Sequence, residues 1–275
     1  MTDELQNQDN PEVDLDEEEE LELSHTDKLV GVFTEPSTIF AKMAHSAPKA
    51  IDWLIPALIL ILVVNLASWV LMSNPNIKYA TVEKQMAMVE KQFNDAIAAG
   101  QMTQDQADQQ LEGIRERMEE AGGFGVQNVI GSLIFIFLFL FIIAGVYFLC
   151  AKFILKGDGT YSHALVGYGL PFYISVVQWI LIAILGLMME KSMQDLSLAT
   201  LMDADKATFV GWLLAKVDIF SIWIYSVIAI AYAKLFKSES TTPYFIMIFG
   251  LWIGFSLLFF LLAKAVPFLA FFTQM

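Results

Sequence analysis

Lys216 and Asp218 stand inside "AKVDIFSIW", a stretch otherwise apolar enough for lipid. An ionisable group carried into a bilayer is expensive, so it marks a functional site or needs a partner that satisfies it. On a helix entering near Phe209, Asp218 lies about nine residues, or about 13 Å, inside. The same arithmetic brings Asn65 of the first apolar run and Gln178 of the third to a comparable depth, and Lys264 closes the last run near the same face. Lys216 is two residues shallower and can snorkel its ammonium outward. Positions two apart do not share a helix face, so the natural partner of Asp218 is Gln178 or Lys264 across a helix contact. A carboxylate, two ammonium groups and two amides could relay protons or line an ion path, and they could equally staple helices together. Both readings of Asn65, Gln178, Lys216, Asp218 and Lys264 stand, the staple being favoured because the groups are few for a path.

A second group concerns packing. "GDGTYSHALVGYGLPFY" sets Gly167 and Gly169 ahead of Pro171. Small residues let helices approach closely and a proline inside a span kinks it, so this stretch reads as a close helix crossing. Pro56 and Pro267 are read in the same way near other span ends. Catalytic chemistry is not expected: the chain has no Gly-rich phosphate loop, no HExxH and no nucleophile elbow. His25, His45 and His163 are scattered, a poor basis for a metal site, and no cofactor is implied. Cys150 is the single cysteine, which excludes an intrachain disulfide.

The elements that must position these residues follow from composition. Hydrophobic residues are 56% and charged ones 17%, a membrane protein's balance. Five segments reach the roughly 20 residues that a bilayer core about 30 Å thick demands: residues 54–73, 126–153, 165–189, 209–235 and 244–263. Lipid offers the backbone no hydrogen-bond partners, so each must be helical. The expected fold is all-α, a polytopic five-helix membrane bundle with an extramembrane helical hairpin between the first two spans. The expected divisions are an acidic tail over 1–25, an interfacial amphipathic segment over 26–52, the first span over 53–73, the hairpin over 74–125 and the remaining spans over 126–272. With an acidic leader and its first apolar run some way in, the chain is not expected to carry a cleavable signal peptide, and the first span serves as insertion signal.

The net charge of -14 is concentrated in the leader, where every charged residue before Ser24 is acidic. Like charges repel and stay solvated, which reads as a disordered tail, and a segment without Lys or Arg excludes nucleic acid as its partner. In "GVFTEPSTIFAKM" a helix start is expected at Thr34 to Pro36, with Ile39, Phe40 and Met43 on one face that meets either the headgroup plane or the bundle. In the insert, Val82, Met86, Val89, Phe93 and Ile97 recur at helical spacing, as do Ala107, Leu111, Ile114 and Met118. Gly100 suits a C-cap, and Thr103 with Gln106 suits a capping box. Such a hairpin has a thin core and is a candidate surface for a protein partner or self-association. Lys and Arg near span ends divide almost evenly, but Lys152, Lys156, Lys234 and Lys237 in short connections tip the N-terminus to the inside.

"GVFTEPSTIF", "GTYSHALVGYGLPF" and "VDIFSIW" together resemble the Yip domain family, the five-span Ypt/Rab-interacting proteins and their bacterial relatives, from about Lys28 onward. The resemblance implies a cytoplasmic N-terminus, an outside C-terminus and no catalytic activity, with the family's aspartate and tryptophan falling at Asp218 and Trp223. The long hairpin and a leader without an evident Rab-binding motif are similar to a bacterial-type member, placed in the inner membrane. The function so implied is non-enzymatic membrane organisation or partner scaffolding. The rival reading is a small transporter or channel component built around Asp218.

Overall fold

The computed structural model describes residues 23–120 and 126–265. The expected acidic tail therefore lies almost wholly outside the described residues, as does Pro267. The described chain is all-helical. The elements are α1 (His25–Thr34), α2 (Pro36–Met43), α3 (Ile51–Met72), α4 (Pro75–Ala98), α5 (Gln104–Glu120), α6 (Val126–Leu149) with a π-turn (Cys150–Ile154), α7 (Tyr161–Gly169), α8 (Phe172–Met188), α9 (Leu198–Leu201), α10 (Phe209–Leu214), α11 (Ile219–Leu235) and α12 (Thr242–Ala265).

Four stretches are long and apolar enough to cross a bilayer: Ile51–Met72, Gln127–Ile154, Tyr161–Met188 and Thr242–Lys264. The fifth expected span, 209–235, is not one helix. It breaks over residues 215–218 into α10 and α11, and α11 has 17 residues, or about 26 Å of rise. The cause is local. Asp218 adopts an extended conformation (φ −133°, ψ 119°) and turns its side chain onto the amide of Phe220, so a new helix starts there. α11 still runs back along the bundle: the amide of Asp158, after the π-turn, donates to the carbonyl of Phe236 at 2.9 Å. This turn end lies opposite the hairpin end, where Asn76 donates to Glu190 at 3.2 Å.

α3 packs along α8, and α6, α7 and α11 close around them. The core gathers Tyr147, Ile174, Ile228, Tyr232, Phe236 and Ile248. The expected close crossing is visible in atoms. A Cβ added at Gly169 would sit 2.6 Å from Trp53 Cβ, and one at Gly167 would sit 3.2 Å from the Tyr232 ring. Pro171 occupies the break between α7 and α8. Gly169→Ala should overpack the α3 contact and lower stability by about 1–3 kcal/mol, read as a drop in thermal midpoint in detergent.

The segment before the first span makes two helices rather than one. Ser24 and Asp27 form a capping box that starts α1, and Glu35 breaks the chain before Pro36 opens α2. Their apolar face meets the bundle: Val32, Ile39, Phe40 and Met43 are buried in the main core. The insert is a helical hairpin. Gly100 takes a positive φ of 70°, Thr103 and Gln106 exchange the capping-box hydrogen bonds, and Arg115 donates to Glu83 at 2.9 Å across the two helices.

Candidate functional site

Asp218 is 2% exposed and its carboxylate accepts three hydrogen bonds. Oδ1 accepts the Phe220 amide at 3.0 Å, while Oδ2 accepts the Ser221 hydroxyl at 2.8 Å and the Gln178 Nε2–H at 3.1 Å. The partial positive charge at the N-terminus of α11 favours the anion further. Gln178 reaches it from α8, so the structure brings these two of the sequence-derived residues together. The remainder have other partners. Asn65 donates from Nδ2 to its own Ile61 carbonyl and to Ser132 Oγ of α6, each at 2.7 Å. Lys216 Nζ lies 5.8 Å from the ring centroids of both Trp212 and Trp252, and Lys264 Nζ lies 4.6 Å from that of Phe260. Trp223 packs edge-on to Phe33 of α1 at 5.7 Å and tilts against Phe220. The arrangement is three helix-joining contacts, Gln178–Asp218, Asn65–Ser132 and Trp223–Phe33, rather than one continuous polar row.

Sequence reasoning missed a second buried cluster. Lys28 of α1 is 7% exposed and Asp52, in the first turn of α3, is 1% exposed; Nζ sits 2.8 Å from both carboxylate oxygens. His25 joins from the same face of α1. Its Nε2 lies 2.6 Å from the Tyr173 hydroxyl of α8, and its buried Nδ1 stands 3.7 Å from Asp52 Oδ1. One signal was available: an aspartate one residue into an apolar run must find a cation when it is buried. What could not be read was which cation, because the reversal at Glu35 decides it.

At the hairpin end, residues 190–206 form a third polar site. Asp195 accepts from Lys206 Nζ at 2.6 Å, Ser197 Oγ at 2.6 Å and Thr200 Oγ1 at 2.5 Å. Burial alone would raise its pKa, but hydrogen bonds from Lys206, Ser197 and Thr200 outweigh burial and hold the carboxyl at about 2. Since the folded value lies below the ordinary 3.8, the stabilisation is present above about pH 4 and lost as pH falls towards 2. It amounts to about 2 kcal/mol. Asp195→Asn should therefore lower the thermal midpoint at pH 7 and flatten its acid dependence between pH 4 and 2.

Beside this network lies a cavity of about 630 Å³ between the hairpin and the 190–206 segment, lined among others by Lys84, Met88, Met118, Met193 and Asp205. Methionines give such a wall adaptable apolar surface.

Comparison with curated proteins returned no match, and comparison with solved structures returned none. The family model for the Yip1 domain matches residues 30–263, which takes in α2 through nearly all of α12 and each of the contacts described between Gln178 and Asp218, Asn65 and Ser132, and Trp223 and Phe33. The chain belongs to the Yip1 domain family of integral membrane proteins.

Proposed function

We propose that this integral membrane protein works as a scaffold without catalytic activity, organising the membrane by holding a protein partner or a second copy on its hairpin end. The observation that carries the reading is the carboxylate of Asp218, which is 2% exposed and has three of its roughly four acceptor sites taken by donors from its own helix and from α8, an arrangement that suits fixing helices better than exchanging protons or ions. The hairpin supports it from the other side. α4 and α5 leave mixed-charge faces open and, with the 190–206 segment, line an open cavity in which Met88, Met118 and Met193 stand among charged groups such as Lys84, Asp205 and Lys206, a lining suited to an amphipathic partner segment. The orientation that accompanies this reading places the N-terminus in the cytoplasm of a bacterial cell, with Lys152, Lys156, Lys234 and Lys237 inside and the hairpin outside.

The test is paired. A photoreactive residue in place of Lys84, activated in native membranes, should give a discrete adduct of fixed mass that is lost when Met88 is replaced by Glu. The same protein in liposomes should dissipate an imposed pH gradient no faster than empty liposomes. Flux abolished by Asp218→Asn would reverse the reading in favour of a transporter.

A further inference from the structure

At the turn end, two lysines sit in a backbone conformation that penalises side chains. Lys156 follows the π-turn at φ 60° and Lys237 follows α11 at φ 55°. The Ser238 amide bonds back to Ala233 and the Lys237 amide to Lys234, at 2.9 and 3.0 Å, the closure whose left-handed residue is ordinarily glycine. The Gly157 amide makes a wider version of it to Ala151 at 2.9 Å. Stability alone would favour glycine at both places, yet each carries an exposed ammonium.

The two turns are fixed to each other. The Asp158 amide donates to the Phe236 carbonyl, and Gly157 and Gly159 seat directly on the Phe236 side chain. Lys152 Nζ and Lys237 Nζ lie 3.7 and 4.0 Å from the two oxygens of Asp158, whose side chain is 78% exposed, so that solvent screens much of the neutralisation. Lys234, in the last turn of α11, adds a fourth ammonium. Two lysines thus flank Asp158, and Lys156 and Lys234 lie within four residues of them along the chain, so that four ammonium groups outnumber the two carboxylates of Asp158 and Glu239 in these two turns. Next to them, Phe153 and Ile154 are 63% and 71% exposed at the very end of a membrane-spanning stretch. Apolar side chains for acyl chains, with ammonium groups one step further out for phosphates, make an interfacial lipid contact.

We infer that the π-turn and the end of α11 together form a binding surface for acidic phospholipid headgroups, independent of what the hairpin binds. The test uses the full-length protein in micelles, titrated with phosphatidylglycerol or phosphatidylcholine, with bound lipid counted by native mass spectrometry. The informative variant is Lys156→Gly with Lys237→Gly, because glycine suits both φ values and the fold is kept. Wild type should retain phosphatidylglycerol over phosphatidylcholine. The double variant should bind phosphatidylglycerol roughly 25-fold more weakly, from about fivefold per lysine near an anionic surface, with its thermal midpoint in phosphatidylcholine unchanged or raised. Equal phosphatidylglycerol binding by the two proteins overturns the inference. So does displacement of the lipid by millimolar inorganic phosphate, which would make this a site for the free anion.

Discussion

Lys28→Met is expected to destabilise the protein by about 3–5 kcal/mol, the cost of leaving one charge of a buried pair alone. The remaining carboxylate of Asp52 would be 1% exposed, with His25 Nδ1 at 3.7 Å as its nearest nitrogen among the described ion pairs. Asp52→Leu strands the ammonium of Lys28 with the same sign and a similar size. The double variant Lys28→Met/Asp52→Leu should recover most of the loss, since two apolar groups of matching volume need no partner. Thermal unfolding in detergent reads all three. Limited proteolysis adds the structural detail, because α1 is held on the bundle through this pair, the His25–Tyr173 contact and the Phe33–Trp223 contact. The single variants should be cut between α1 and α3 well before the membrane helices open, and the double variant should not.

Asp218→Ala should cost about 2–3 kcal/mol, combining a lost helix cap of about 1 kcal/mol with half-buried donors left unpaired on Ser221 and Gln178. Asp218→Asn keeps an acceptor for the Phe220 amide and should lose about half as much. If Asp218 is a staple, Gln178→Leu combined with Asp218→Asn should couple, since the pair shares one hydrogen bond. A double-mutant cycle on the thermal midpoint measures that coupling directly.

Much of the bundle was legible because lipid leaves the backbone little choice: an apolar run of sufficient length must be helical. The hairpin was legible from its caps, since Thr103, Gln106 and Gly100 act within a few residues of themselves. The break at Asp218 was harder. Aspartate followed by Ser221 is a helix-start pattern, but its apolar setting reads as a continuous span until the side chain is seen to turn onto the Phe220 amide. The Ser24–Asp27 capping box was hidden similarly, because it abuts the acidic leader and reads as part of it. Lys264 turns to Phe260 one turn back on its own helix, whereas the partners of Asn65 and Lys28 depend on helix crossings and on the reversal at Glu35, which pair residues far apart in sequence and leave no local pattern.

A scaffold closed around Asp218, as proposed above, and a transporter with water at Asp218 differ in cysteine accessibility in intact cells. With Cys150→Ala as background, Gln178→Cys places a thiol beside Asp218, which keeps its Phe220 and Ser221 donors. Gln101→Cys places one on the exposed hairpin turn. A membrane-impermeant thiol reagent should label position 101 and leave 178 unlabelled; labelling of both at comparable rates would mean that water reaches Asp218 and would contradict the scaffold account.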